Sequence, residues 1–124
     1  MHLLYRIVLL LFLGASVLTP PAAFADALAQ TVSDKDWQGH WGEGATCAEA
    51  MDKAVRACGG TEFCRREVGC IEADKQGCIA HVDDPAMAAV GWSDTPETAV
   101  LEALKQCLRG GGRGCVLDEV RCNY

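Results

Sequence analysis

The sequence predicts a small, disulfide-stapled α+β domain in which two helices pack on one face of a mainly antiparallel sheet. Two observations predict this class. The chain of 124 residues contains eight cysteines. It also contains two capped amphipathic helical patterns, with short apolar segments typical of strands around them. Because the helical patterns and the cysteines that follow them are similarly spaced, we interpret the domain as two diverged α–β repeats, at about residues 41–70 and 92–122.

The N-terminal 25 residues have the pattern of a cleavable signal peptide. Arg6 supplies a positive charge, residues 7–18 are a short apolar segment, and residues 23–25 (Ala-Phe-Ala) form a small-x-small cleavage motif. The apolar segment is shorter than the ~18 residues that a membrane-spanning helix requires. We therefore expect cleavage after Ala25, with residues 27–29 (Ala-Leu-Ala) as a second possible site. We expect no stable membrane anchor after cleavage and a periplasmic or secreted protein.

Cleavage leaves 124 − 25 = 99 residues, which suffice for one domain. Residues 26–36 lack periodicity and are predicted to be a flexible lead, with residues 37–124 as a single cysteine-rich domain. The net charge is −6, and removal of Arg6 makes it −6 − 1 = −7. Because nucleic acid and anionic lipid repel so acidic a protein, neither is expected as a partner.

The first part of the domain combines a Trp/Gly-rich segment with a helix. Residues 37–44 (WQGHWGEG) fit an irregular strand with Trp37 and Trp41 on one face. Thr46 is a good helix N-cap, and Glu49 three residues later completes a capping box. The helix ends at a pair of glycines. Its apolar stripe consists of Cys47, Ala50, Met51, Ala54, Val55 and Cys58.

Strands are predicted after this helix. Residues 62–70 (EFCRREVGC) are interpreted as a strand. Residues 78–82 and 87–92 flank an Asp-Asp-Pro turn and are predicted to form a β-hairpin. The residues between these two regions are polar and are expected to form a turn.

The second helix is predicted to begin at the N-cap Thr95, with Pro96 at its first position. It ends at three consecutive glycines, and residues 115–120 form the last predicted strand. In the comparison of the two copies, Trp41 corresponds to Trp92 and Thr46 to Thr95. The apolar stripe of the second helix consists of Val100, Ala103, Leu104, Cys107 and Leu108.

All the cysteines follow the predicted cleavage site, and an even number in a short exported chain indicates a disulfide framework. Local bridges would join each helix end to the segment after it, a third would link the two copies, and the remaining cysteines would form the fourth. Eight cysteines permit roughly a hundred connectivities, so the pairing is a hypothesis. The predicted bridges are Cys58–Cys64, Cys107–Cys115, Cys70–Cys122 and Cys47–Cys78.

The segment from Cys78 to Cys122 combines a Cys-x-Ala strand, a Gly-Trp turn at Trp92 and an Ala- and Glu-rich helix that ends at Cys107. A glycine hinge, the Cys-Val pair at Cys115 and the closing Cys122 follow. This pattern resembles the exported bacterial domain-of-unknown-function family 4189, and the upstream copy resembles it more loosely. The resemblance implies an exported location and a fold of this kind. The family has no established activity, so the resemblance implies no functional residues.

Patterns for chemistry are weak. The chain has no C-x2-C pair, and neither His40 nor His81 is spaced as a zinc ligand would be, so no metal and no cofactor are predicted. Neither Ser33 nor Ser93 lies in a G-x-S-x-G context. Cys47 follows a helix N-cap, where a thiolate is favoured, but it also belongs to the apolar stripe. The sequence therefore predicts that the protein is not an enzyme.

The leading functional hypothesis is an exported, non-enzymatic binding or inhibitor-like module held by disulfides. Its partner would be an unidentified protein or cell-envelope ligand. Trp41 and Trp92, both next to glycine, are the candidate contact residues, since tryptophan combines a large apolar face with a polar group. The alternative is a thiol–disulfide redox or oxidative-stress protein of the cell envelope that uses Cys47. A purely structural role in the envelope is a third hypothesis.

Overall fold

The structure, a computed structural model, describes residues 26–124. The predicted signal peptide lies outside the described residues. Within them, no helix has the length and apolarity to cross a membrane. The elements in chain order are β1 (Ala27–Val32), β2 (Gly39–Gly44), α1 (Cys47–Ala57), α2 (Glu62–Glu67), β3 (Gly69–Ile71), β4 (Cys78–Asp84), β5 (Met87–Ser93), α3 (Pro96–Arg109) and β6 (Val116–Cys122).

The strands form two antiparallel three-stranded sheets, with strand orders β2-β1-β3 and β5-β4-β6. In each sheet a hairpin is followed by a helix, and the last strand returns to pair with the first strand of the hairpin. We call residues 27–71 the first unit and residues 78–122 the second unit. The predicted α+β class is confirmed, with a separate small sheet under each of the main helices, α1 and α3. Descent of the units from one duplicated sequence stays a prediction.

The central strands β1 and β4 are buried on both faces. One face of β1 packs its alanines against Ala50 and Ala54 of α1. One face of β4 packs in the same way against Ala99 and Ala103 of α3. The other faces of the two strands meet between the sheets, so the order of layers is helix, sheet, sheet, helix. The largest side chains buried in this middle layer are Leu28, Gln30, Ile79 and His81.

Close approach of each helix to its sheet depends on one glycine. A Cβ atom at Gly42 in β2 would overlap the carbonyl oxygen of Ala50, and a Cβ atom at Gly91 in β5 would overlap that of Ala99. The two glycines therefore occupy the same place in the two units. Trp41 precedes its glycine whereas Trp92 follows its glycine, so the two tryptophans are not structurally equivalent.

The prediction of a flexible lead at residues 26–36 is wrong for residues 27–32, which form the central strand β1. All six residues of this strand are buried. A strand that alternates between apolar and polar residues is covered on one face only, whereas β1 is covered on both faces. Its sequence, ALAQTV, therefore lacks the alternation that would have identified it.

The strand predicted at residues 62–70 is also largely wrong. Residues Glu62–Glu67 form the short helix α2, and only Gly69–Ile71 is a strand. The side chain of Thr61 caps this helix by accepting a hydrogen bond of 3.2 Å from the backbone N–H of Cys64. By contrast, both long helices begin at the predicted caps Thr46 and Thr95, and the β4–β5 hairpin is confirmed.

Two of the four predicted disulfides are confirmed. Cys58–Cys64 and Cys107–Cys115 close the helix ends of the first and second units. The predicted Cys70–Cys122 and Cys47–Cys78 bridges are wrong, because β3 and β6 belong to different sheets and every bridge stays within its own unit. The remaining bridges are Cys47–Cys70, from the start of α1 to β3, and Cys78–Cys122, between paired positions of β4 and β6. Four disulfides are typical of a protein in an oxidising compartment.

Candidate binding surface

Trp92 is the most exposed aromatic ring on either sheet. It lies in β5 opposite Ile79, with its side chain directed away from α3, and 42% of the residue is exposed. Its indole rests on the backbone of β3 at Gly69, where an added Cβ atom would lie 2.5 Å from the ring atom Cζ2. The absence of a side chain at Gly69 therefore allows the indole of Trp92, from the other sheet, to pack directly on the backbone of β3.

An open cleft of about 390 Å³ lies beside this ring. Trp92 and Ile71 supply its apolar surface, and the polar groups are those of Glu72, Lys75, Ser93 and Asp94. We call it the Trp92 cleft. Two carboxylates and one ammonium group make its charge slightly negative. An aromatic face beside acidic side chains suits a ligand that is apolar on one side and carries hydrogen-bond donors or positive charge on the other.

Asn123 holds the wall of the Trp92 cleft in place. Its side-chain N–H groups donate to the carbonyl oxygens of Lys75 (2.6 Å) and Glu72 (3.3 Å). Its side-chain oxygen accepts from the N–H of Gly77 at 3.0 Å. Asn123 is itself buried. Because this one side chain satisfies three backbone groups of the 72–77 loop, the loop is pinned to the end of β6.

Trp41 has a different environment from Trp92. It lies in β2 opposite Gln30, half-buried, and the guanidinium of Arg121 sits 4.9 Å from the centre of its ring. Its indole Nε1 atom is buried and has no hydrogen-bond partner among the described residues. Trp92 contacts β3 and Trp41 contacts β6, which are on opposite sides of the central β1–β4 pair. The two predicted contact residues therefore do not share one surface.

A buried polar cluster joins the two sheets at His81. The side-chain N–H₂ of Gln30 donates to the carbonyl oxygen of Thr31 (2.9 Å) and also lies 3.1 Å from His81 Nδ1. Nδ1 is therefore an acceptor, and the ring proton is on Nε2. From there it is directed at the carboxylate of Asp83 (2.6 Å) and the carbonyl oxygen of Trp37 (2.9 Å).

This arrangement bears on metal binding. The ligand atoms of His81, Asp83 and Asp118 lie within 4.8 Å of one another. His81 Nε2 already has two hydrogen-bond partners, the carboxylate of Asp83 at 2.6 Å and the carbonyl oxygen of Trp37 at 2.9 Å. We therefore interpret the cluster as a structural link between the sheets. A second grouping, of Asp84 with Cys107 and Cys115, has both sulfur atoms in a disulfide.

Asp84 performs a structural task at the end of the β4–β5 hairpin. Its carboxylate accepts backbone hydrogen bonds from Ala86 (3.0 Å), Gly114 (2.7 Å) and Arg113 (3.0 Å). These bonds, with that from Ala86 the largest contribution, hold the pKa of Asp84 below its ordinary value of 3.8. The carboxylate thus joins the hairpin to the glycine-rich loop that leads into β6.

A scan of the chain against protein-family models, the curated proteins and the solved structures finds no match. The resemblance to family 4189 therefore stays a prediction. Sequence reasoning identified Trp92 as a candidate contact residue and predicted a turn before β4, but it did not show that Asn123 and the 72–77 loop form the wall of the cleft. A polar loop and a penultimate asparagine carry no recognisable signal, because they meet only when β6 returns to pair with β4.

Proposed function

We propose that the protein is an exported, non-enzymatic binding module that holds a protein or cell-envelope ligand in the Trp92 cleft. The observation that carries this proposal is the exposed indole of Trp92 on the rim of a cleft with a pinned wall. Tryptophan is among the residues that contribute most to binding when they become buried at an interface. A ring of this size that is left exposed on a sheet is available for that purpose.

Rigidity supports the proposal. Cys70 and Cys78 both line the cleft, and each belongs to a disulfide that spans its own unit. Asn123 fixes the loop opposite. A surface that is already ordered loses little conformational entropy when a ligand binds, so even a small contact area can give useful affinity. An inhibitor-like role would depend on the same property.

The charge of the cleft indicates the class of ligand. The cleft has two carboxylates, those of Glu72 and Asp94, and one ammonium group, that of Lys75. The whole chain also carries a net charge of −6. Opposite charges speed association, and like charges suppress wrong partners. A ligand that presents an apolar group beside a cationic one therefore fits best. Nucleic acid and anionic lipid do not fit this pattern.

The test is capture of a partner from envelope extract and culture medium by the immobilised mature protein. Trp92→Ala should reduce the captured partner about tenfold or more. Leu108→Ala is the matched control, because Leu108 is 63% exposed on α3 and does not line the cleft. Thermal unfolding of both variants verifies that each is folded. Equal capture by wild type and Trp92→Ala, or equal loss in both variants, would contradict the proposal.

We also propose a periplasmic or extracellular location, on the basis of the predicted signal peptide and the disulfides. Intact mass of the exported protein, measured after alkylation with and without reduction, tests it. The expected result is a chain that begins near Asp26 with no alkylated thiol before reduction. A full-length chain in the cytoplasm, or several free thiols, would contradict this location.

A thiol–disulfide redox protein is the second candidate, and the position of Cys47 favours it. Cys47 and Cys70 are both half-buried, and the N-terminus of α1 would stabilise a thiolate at Cys47 once the bridge is reduced. A redox function requires that this bridge is reduced before the other three and that Cys47→Ser abolishes sensitivity to oxidant. Simultaneous reduction of all bridges would exclude it.

A further inference from the structure

A groove lies between helix α3 and the last strand. Helix α3 packs mainly on β5 and β4 and leaves the side of β6 open. The space, about 510 Å³, is lined by Pro96, Glu97, Val100, Leu101 and Val120. Four of these five residues are apolar, and Leu101 is 56% exposed. We call it the α3–β6 groove.

The groove runs along an open sheet edge. In the sheet of the second unit, β6 pairs with β4 on one side, and no described strand pairs with its other side. Edge strands usually carry lysine, proline or very few residues, which prevents another chain from adding to them. β6 has seven residues, and Val116 and Leu117 at its start are exposed. The irregular register at Asp118 leaves residues 119–122, next to the groove, as the regular part of the edge.

The charges of this edge indicate what can occupy it. Glu97, which lines the groove, has no ion-pair partner among residues 26–124. Asp118 and the paired Glu119 and Arg121 lie on the face of β6 that is turned away from α3. Two copies of the chain would each bring a net charge of −6 to a contact through β6, and charges of like sign oppose association. A second copy is therefore disfavoured, and a segment with positive charge is favoured.

We propose that the α3–β6 groove binds an extended polypeptide segment of a partner protein in which apolar side chains alternate with lysine or arginine. The segment pairs with β6 as an added strand, so that the backbone groups of residues 119–122 that do not face β4 acquire partners. One apolar side chain enters the space between Leu101 and Val120. The alternating basic side chains point to the other face of the sheet, on which Asp118 lies, and a basic residue at the end of the segment lies near Glu97.

This surface is separate from the Trp92 cleft. Trp92 belongs to β5, and β5 and β6 are the opposite edges of the same sheet. The two proposals therefore stand or fall independently. A protein with both surfaces can hold two segments of one partner, or two partners, on one small scaffold.

The test uses the intact, oxidised mature protein and a synthetic peptide of alternating valine and lysine, blocked at both ends and long enough to span β6. A peptide of the same length with glutamate in place of lysine is its match. Backbone amide shifts and hydrogen exchange report the site. We expect the lysine peptide to perturb β6 and the first half of α3, and to slow exchange of the outward amides of residues 119–122. The glutamate peptide should bind at least about tenfold more weakly.

Two variants distinguish the groove from general stickiness. Leu101→Lys places a charge in the apolar wall and should weaken the lysine peptide about tenfold. Leu108→Lys is the control, because Leu108 lies on the same helix, is similarly exposed and does not line the groove. Equal effects of the two variants, equal binding of the two peptides, no binding at millimolar concentration, or shifts centred on Trp92 would each overturn the proposal. A concentration-dependent dimer with protected β6 amides would overturn it in favour of a second copy.

Discussion

The two units have the same order of elements in their sheets and helices, yet they differ in what they leave exposed. All the exposed large apolar side chains of residues 26–124 follow residue 77; they are Trp92, Leu101, Leu108, Val116, Leu117 and Tyr124. In the first unit the comparable groups are at least partly covered, and its Trp41 lies against Arg121 of the other unit. In the two binding surfaces that we propose, the second unit would supply Trp92 and the α3–β6 groove, and the first unit would supply Ile71.

The units also close differently. In the first, the short helix α2 and a strand of three residues follow α1, and a disulfide ties the start of α1 to that strand. In the second, a glycine loop and a strand of seven residues follow α3, and the disulfide lies between paired strands. A longer closing strand gives the second unit an edge that the first unit lacks. The same topology thus gives a short edge strand, β3, in the first unit and a longer edge strand, β6, in the second unit.

Removal of whole disulfides should give the largest difference between the units. Cys78→Ala with Cys122→Ala opens a bridge across 44 residues, and Cys47→Ala with Cys70→Ala opens one across 23. Each pair should lower the free energy of unfolding by about 2–4 kcal/mol, with the longer loop at the upper end. Denaturant unfolding measures both. A larger loss from removal of the first-unit bridge would contradict the expectation that the longer loop gives the larger effect.

The glycines beneath the helices should give equal effects in the two units. Gly42→Ala and Gly91→Ala each place a methyl group against a helix carbonyl, so each should cost about 1–3 kcal/mol by separating helix from sheet. Thermal unfolding of the two variants provides the comparison. If one substitution were tolerated and the other were not, the equivalence of the two positions would fail.

Substitution of the two tryptophans should affect different properties: Trp41→Ala mainly the stability of the fold, and Trp92→Ala mainly the binding of the partner. Trp41→Ala removes a half-buried ring from beneath Arg121 and should cost about 2 kcal/mol of unfolding free energy, whereas Trp92→Ala should cost about 1 kcal/mol. Binding of the partner should show the opposite order. The comparison uses the same two proteins in unfolding and capture experiments. A Trp41 variant that unfolds like wild type but binds no partner would invert the assignment.

The smallest effect concerns Asp84 and acidity. Its pKa is below 3.8 in the folded protein, chiefly because of the hydrogen bond from Ala86. Its carboxylate therefore contributes stability above that pH, and the contribution is lost as the pH falls through the folded pKa. The difference in unfolding free energy between wild type and Asp84→Asn should shrink on acidification below about pH 3.8. Parallel stability curves for the two proteins down to strongly acidic pH would contradict this.

Local sequence signals predicted the helices and the short-range bridges. Thr46 and Thr95 cap α1 and α3 as expected, and Cys58 and Cys107 bond to the nearest following cysteine. These features depend on residues that are close along the chain. β1 could not be recognised, because the second sheet covers the face that would otherwise be polar.

Long-range features were beyond local signals. The choice between Cys70 and Cys78 as the partner of Cys47 depends on which sheet each strand joins, and sequence spacing does not determine that. Trp92 could be proposed from its type and its neighbouring glycine, but its exposure depends on Gly69 in another sheet. The open edge of β6 likewise follows from strand order and not from its own residues.

The contact between Gln30 and His81 shows how two units of the same topology differ where they meet. Each residue directly follows the alanine that pairs with a helix-contacting glycine, so the two occupy matching places, and they touch at 3.1 Å. One supplies a hydrogen and the other a lone pair. The two units share one topology, yet their contact at the centre of the molecule is made by unlike residues, so the middle layer is not symmetric.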